Sequence, residues 1–236
     1  GIGLSKDIDS IGEPAEDYLF LNAAGEALVE IRQGAGLAVS GFCHSFMFFQ
    51  PALDKLLRRR LGELPAVAAR FGSSLAGIEL PPAMPPDGSG QPVRAWFEGD
   101  DGREVASARF LVGCDGAASL VRSRLGVPLD DLGFNEPWIA VDVQLADDCP
   151  LPARAAYQYC NPGRPATSVP SGPGRRQWQF MVLPGEQPES LVEEERVRGL
   201  LRPWFGDQSP EIERIAAYRF HAAIARQWRV GPVLLA

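Results

Sequence analysis

Residues 110–127 read FLVGCDGAASLVRSRLGV. The apolar run Phe110-Leu111-Val112 stops at Gly113-Cys114-Asp115-Gly116, and the chain resumes with small residues and an Arg-bearing amphipathic segment. A strand that ends in Asp-Gly and turns straight into a helix allows two readings. It is an ordinary connection with Asp115 as the helix N-cap, or a place where glycine lets the backbone pass close to a ligand.

The pattern around this stretch predicts a mixed α/β (α+β) chain. Helical spacing of Leu53, Leu56, Leu57 and Leu61 behind Pro51 predicts a helix over 51–63. A short helix is expected over 4–11, and a hairpin joins 18–22 to 27–32, followed by a loop over 33–41. Short strands are expected over 67–71, 74–80, 93–98, 103–108 and 110–113, with a turn at Asp100-Asp101-Gly102 and an exposed Pro- and Gly-rich loop over 81–92. Residues 118–125 read as a helix. Beyond Asp130, strands over 138–145, 154–160, 165–170 and 177–183, joined by short turns, predict an antiparallel sheet. A helix over 188–205 and strands over 211–221 and 230–236 follow. We therefore expect residues 1–129 to form one part, 130–222 an antiparallel-sheet domain, and 223–236 a strand returning to the first part, with a cleft where the chain leaves and comes back.

Composition removes several classes of function. The chain has 236 residues and a formal net charge of −7, which argues against nucleic acid or an anionic membrane as partner. No apolar run is long enough to span a bilayer, and the opening GIGLSKDIDSIG lacks a signal-peptide pattern. The four cysteines form no C-x-x-C pair and there are two histidines, so no metal site is expected. Scattered thiols suit a reducing cytoplasm. The apolar ending Val233-Leu234-Leu235-Ala236 and the Gly1 start read as a piece of a longer polypeptide.

Five stretches together resemble the class A FAD-dependent aromatic monooxygenases. The strand, Asp115-Gly116, Ser119, Val121 and Arg122 follow the DG motif of that family. FFQPALDKLLRRRL resembles its segment where a Gln-Pro opens a helix beside the flavin. PWIAVDV, RRQWQFMVLPGE and YRFHAAIARQWRVGPVLLA resemble strands of its substrate domain and the lead into a second flavin motif. The likeness covers nearly the whole chain and is nearest to the 3-(3-hydroxyphenyl)propionate hydroxylase branch. The family's GxGxxG and its later Gly-Asp are absent from these residues, so the chain resembles the middle of such an enzyme: a partial flavin-binding Rossmann-like domain and a substrate domain.

That resemblance implies a parent that uses FAD, NAD(P)H and O2 to hydroxylate a phenolic acid through a flavin hydroperoxide, and a fragment inactive alone. The alternatives are a polyketide or other aromatic substrate, or a non-catalytic fragment. No side chain is expected to be catalytic in itself, because the cofactor carries the chemistry. Gln50, Asp115, Gly116, Ser119 and Arg122 are the expected cofactor-binding residues, with Arg122 weighed as a support of the loop. Arg176, Gln179 and Tyr159 are the expected substrate-binding residues. Arg176 reads either as a solvated hairpin tip or as a cation facing the cleft. His221 and most of the aromatic residues read as structural, and at least two of Arg58, Arg59 and Arg60 as a solvated helix face. Gln179 stands where close relatives have Glu, Ala118 where the family often has a basic residue or His, and Ala223 and Pro232 where Arg is common. Self-association into a homo-oligomer is left open.

Overall fold

The computed structural model describes residues 2–32, 36–82, 85, 87–100, 102–146, 149, 154–206, 208 and 210–236. The head of the expected loop (33–35), Asp101 of the expected turn, and Ala83, Met84 and Pro86 of the expected Pro- and Gly-rich loop lie outside them. The chain opens with α1 (Ser5–Asp9), β1 (Gly12–Pro14), the hairpin β2 (Asp17–Leu21) and β3 (Ala27–Arg32), β4 (Phe46–Phe48) and α2 (Gln50–Gly62). It continues with β5 (Ser73–Glu79), β6 (Val93–Gly99), β7 (Gly102–Ala108), β8 (Leu111–Gly113), α3 (Leu120–Arg124) and the long β9 (Leu129–Gln144). The last part comprises β10 (Ala155–Tyr159), β11 (Ala166–Pro170), β12 (Arg175–Met181), α4 (Pro188–Leu191), α5 (Glu194–Phe205), β13 (Glu211–Ala225), β14 (Arg229–Val230) and β15 (Val233–Leu235).

Two compact units result. One comprises residues 1–67 and 135–220, the other 68–134 and 221–236. This differs from the expected grouping of residues 1–129. The reason is a long-range pairing: β2 runs parallel to β10, Asp17 opposite Ala155 through Leu21 opposite Tyr159. The N-terminal hairpin thereby extends a seven-stranded sheet of order β13-β9-β12-β11-β10-β2-β3. Nothing in the local pattern of either strand announces its partner.

In the first unit the core lies between this sheet and α5. β12 alternates strictly, with Arg176, Trp178 and Phe180 buried and Arg175, Gln177, Gln179 and Met181 half-buried. Ile139, Val141 and Val143 of β9 lie opposite the buried set and pack with Leu191, Val197 and Leu201. Burying each such side chain contributes roughly 1.5–3 kcal/mol. The expected single helix over 188–205 is split into α4 and α5 at Val192-Glu193, and Pro203 sits inside α5.

In the second unit β5, β6 and β7 form one antiparallel sheet, and β14, β15 and β8 a second, in which β15 runs parallel to β8. Val93, Val121 and Val233 form its core. Gly113 is obligatory there: a Cβ on it would lie 2.8 Å from Val121 Cβ. Residues 67–71 carry no regular secondary structure, and Phe71 is exposed, so the strand expected there does not form. Val112 is 54% exposed, so β8 buries one face rather than both. β9 begins nine residues before the expected start, because its first half carries Asp130, Asp131 and Gly133 and lacks an apolar alternation. No helix among the described residues is long and apolar enough to cross a membrane.

Candidate functional site

The Asp115 turn is built by its own neighbours. Ser119 is the N-cap of α3, and its hydroxyl accepts the Arg122 N–H at 3.0 Å while donating to Asp115 Oδ1 at 2.5 Å. The Val121 N–H donates to Asp115 Oδ2 at 3.0 Å. Asp115 is therefore not the N-cap itself, but it and the buried Ser119 together satisfy the helix start. Burial pushes the Asp115 carboxyl up, yet the bonds from Ser119 and the Val121 N–H outweigh it and hold it below the ordinary aspartate value. Arg122 donates to the Val127 carbonyl at 3.0 Å, closing the far end of α3.

Gly116 has φ +75°, a region other residues rarely adopt. Nothing lies within 4 Å of where its Cβ would be, so this backbone faces open space. A recess of about 170 Å³ adjoins the turn, lined by Gly113, Gly116, Ser119, Arg122, His221 and Trp228 among others. His221 Nε2 lies 3.2 Å from Asp131 Oδ2.

The remaining expected residues lie in the first unit, and the two faces of its sheet separate them. Arg176 is fully buried on the helix-covered face. Its Nε donates to Ser168 Oγ at 2.7 Å and its Nη2 to the Ala155 carbonyl, and its guanidinium lies 5.3 Å from the Tyr157 ring centre. It is not a solvated hairpin tip, and burial pulls its pKa below the ordinary arginine value. Arg175 occupies the position expected of Arg176 instead, half-exposed, bonded to Glu213 at 2.9 Å and stacked 4.5 Å over Phe49. Tyr159 lies opposite Ala166, which lies opposite Phe180, so it too is on the covered face. Its hydroxyl accepts the Trp204 indole N–H at 2.8 Å, and burial pushes its pKa up.

Gln179 points the other way. It lies opposite Ala140 and Thr167, in line with Gln177, which lies opposite Asp142 and Val169. Asp142 is 7% exposed. Its Oδ1 accepts Gln177 Nε2 at 2.7 Å and its Oδ2 accepts Arg214 Nε at 2.6 Å. Gln179 Nε2 donates to Gln177 Oε1 at 2.6 Å, and the Tyr218 hydroxyl donates to Gln179 Oε1 at 2.9 Å. A cavity of about 340 Å³ joins part of this row to the start of α2: Asp142, Gln177 and Arg214 line it with Phe46, Phe49 and Gln50. Gln50 is the exposed first residue of α2, and Phe49, not Gln50, is its N-cap.

The fold thus brings Gln50 near the polar row and leaves Tyr159 and Arg176 behind the sheet. Asp142, Gln177, Arg214 and Tyr218 were not expected at a site. Their alternation with buried neighbours was visible in the sequence, but not which strands lie side by side.

A family model described as "FAD binding domain" matches residues 1–236. The chain belongs to the FAD binding domain family. Within that family it is similar to a probable NADH-specific resorcinol 4-hydroxylase of Rhodococcus jostii (strain RHA1), 31% identical over 93% of this chain and 40% of the relative. It is also similar to a 3-(3-hydroxy-phenyl)propionate/3-hydroxycinnamic acid hydroxylase of Paraburkholderia xenovorans (strain LB400), 34% identical over 83% of this chain and 30% of the relative. The chain therefore spans two fifths or less of these relatives' length. The family the motifs resembled is the one found, the class A FAD aromatic hydroxylases. Two solved structures share the fold. p-Nitrophenol 4-monooxygenase from Pseudomonas putida DLL-E4 has a TM-score of 0.79 at 20% identity, covering 99% of this chain and 58% of that one. Aklavinone-11 hydroxylase in complex with FAD and aklavinone has a TM-score of 0.74 at 24% identity, covering 99% and 46%.

Proposed function

We propose that this chain serves an FAD-dependent, NAD(P)H-using monooxygenase that hydroxylates a phenolic ring, with a 3-hydroxyphenylpropionate-like acid as the substrate. The observation that carries the reading is the Asp115 turn. Asp115 and Ser119 spend their polar atoms on the start of α3, which leaves the open backbone at Gly116 for a ligand. A flavin dinucleotide, with its diphosphate and sugar chain, is the group such close approach suits. Bound FAD, reduced by NAD(P)H, would supply the oxygen-activating chemistry.

The chain's own residues would then bind and orient. Asp115 and Ser119 hold the turn in shape, and Arg122 holds the end of its helix. Gln50, exposed at the start of α2, carries a donor and an acceptor on its amide. Gln177, Gln179 and Tyr218 form a wall with donors and acceptors for a ring hydroxyl. Arg176 is held on the covered face by Ser168 and the Ala155 carbonyl, and Tyr159 lines a separate cavity of about 520 Å³ on that face. The four thiols are unpaired, which supports a reducing, cytoplasmic setting.

Two measurements test this. The chain is incubated with FAD and desalted; retained flavin absorbance is expected to fall when Gly116 is replaced by valine. The whole protein is then supplied with NAD(P)H and O2. Consumption is expected to rise several-fold on adding 3-hydroxyphenylpropionate or a related phenol, and no stimulation by any phenol refutes the reading.

A further inference from the structure

From Tyr218 through Gln179 and Gln177 to Asp142, one row of hydrogen bonds on the polar face of the sheet runs in a single direction. An ionised carboxylate is an acceptor only, and Arg214 donates to Asp142 Oδ2 at 2.6 Å. Asp142 Oδ1 therefore takes the amide N–H of Gln177, at 2.7 Å. That orientation turns Gln177 Oε1 toward Gln179, whose Nε2 donates to it at 2.6 Å. Gln179 Oε1 must then accept, and the Tyr218 hydroxyl donates to it at 2.9 Å. Flipping Gln177 would set its carbonyl oxygen against the Asp142 carboxylate, so the order follows from chemistry as well as geometry. One buried acid fixes two amides and the hydroxyl proton of a tyrosine three bonds away.

Tyr218 is left with lone pairs and no proton to offer. Burial pushes its pKa up to about 12, so it stays neutral under working conditions. Its ring meets Phe220 edge-on with centres 4.8 Å apart, and Phe220 meets Trp138 at 6.1 Å. An aromatic guest lying along these rings would meet an acceptor at Tyr218.

We propose that Asp142, Gln177 and Gln179 act as positioning residues that make Tyr218 an acceptor, so that this face selects an aromatic ligand with a free hydroxyl over the corresponding ether. The proposal rests on the reading that this face meets the aromatic substrate. A glutamate at position 179 could not donate to Gln177, so the one-way row depends on the glutamine that this chain carries there.

The test uses the whole FAD-loaded protein, with dissociation constants for 3-(3-hydroxyphenyl)propionate and 3-(3-methoxyphenyl)propionate read by calorimetry. The hydroxyl compound is expected to bind about tenfold tighter, the worth of one hydrogen bond. Tyr218→Phe should bring its affinity down to that of the ether and leave the ether unchanged. Asp142→Asn should do something a merely structural residue would not. An asparagine can donate to Gln177, so the row can reverse, Tyr218 regains a proton to give, and the ether binds tighter than before. Melting temperatures of both variants confirm that they fold. If both ligands bind and Tyr218→Phe leaves their ratio unchanged, the one-way row is overturned while the reading of the face stands. If neither ligand binds the folded, FAD-loaded parent, both are overturned.

Discussion

The Asp115 turn and the polar row on the sheet are assembled in opposite ways. The turn is closed by hydrogen bonds between residues no more than six apart. The row joins residues 72 apart at Asp142 and Arg214 and 35 apart at Asp142 and Gln177. A site made within one stretch depends on that stretch. A site spread over three strands depends on whatever keeps the strands in register, and here that is the covered face behind it. Trp178 lies between Gln177 and Gln179 in sequence and on the other side of the sheet, so packing on one face sets the spacing of the amides on the other.

The largest effect is therefore expected at Trp178, which is fully buried. Trp178→Ala should cost about 3–5 kcal/mol in urea unfolding and disturb the row, while amide exchange at the Asp115 turn stays unchanged. Loss of protection at both places would break the comparison. Arg176→Met is expected next. It leaves Ser168 Oγ and the Ala155 carbonyl without their charged donor and should cost about 2–3 kcal/mol. In the whole protein, if the proposed activity holds, a raised KM with an unchanged melting temperature would instead mean that Arg176 touches substrate. The smallest effect belongs to Asp115→Asn, at most about 1 kcal/mol near neutral pH. The Asp115 carboxyl is held below its ordinary value of 3.8 in the folded chain. Its contribution is thus full above that value and is lost as pH falls through the folded value. The melting-temperature gap between wild type and Asp115→Asn should shrink below about pH 4, and a gap that widens there would be inconsistent with this assignment.

The same contrast decides what could be read beforehand. The Asp115 turn and its helix were legible because partner and partnered sit in one 18-residue stretch. Helix α2 was legible from Pro51 and four leucines, to within a residue at each end. The alternation of β12 was legible too, but not the consequence for Arg176 and Gln179. Their adjacent strands were known as strands, yet which face α5 covers is a fact of packing. Arg176 read either as a solvated hairpin tip or as a cation facing the cleft, because a buried arginine is rare, and the Tyr157 ring, Ser168 and a carbonyl that make it tolerable come from other strands. The split at Val192-Glu193 had no breaker residue to mark it. The placement of residues 1–67 beside 135–220 had no local signal at all.

That last pairing has a consequence for how the molecule is made. β2 lies against β10, 138 residues further along the chain. At about 5–20 residues per second, a ribosome needs on the order of ten seconds to deliver the partner after the hairpin has emerged. During that interval the β2 edge has no neighbour, and β3 beyond it stays solvent-facing even in the finished sheet, with Leu28, Val29 and Ile31 exposed. Such an apolar edge is a template for other chains. Pairing at this separation also makes closure of the sheet slow relative to local elements. Yield from an expressing cell is therefore expected to depend on how long nascent chains wait with that edge open, and slower, cooler synthesis or a holding chaperone should raise it.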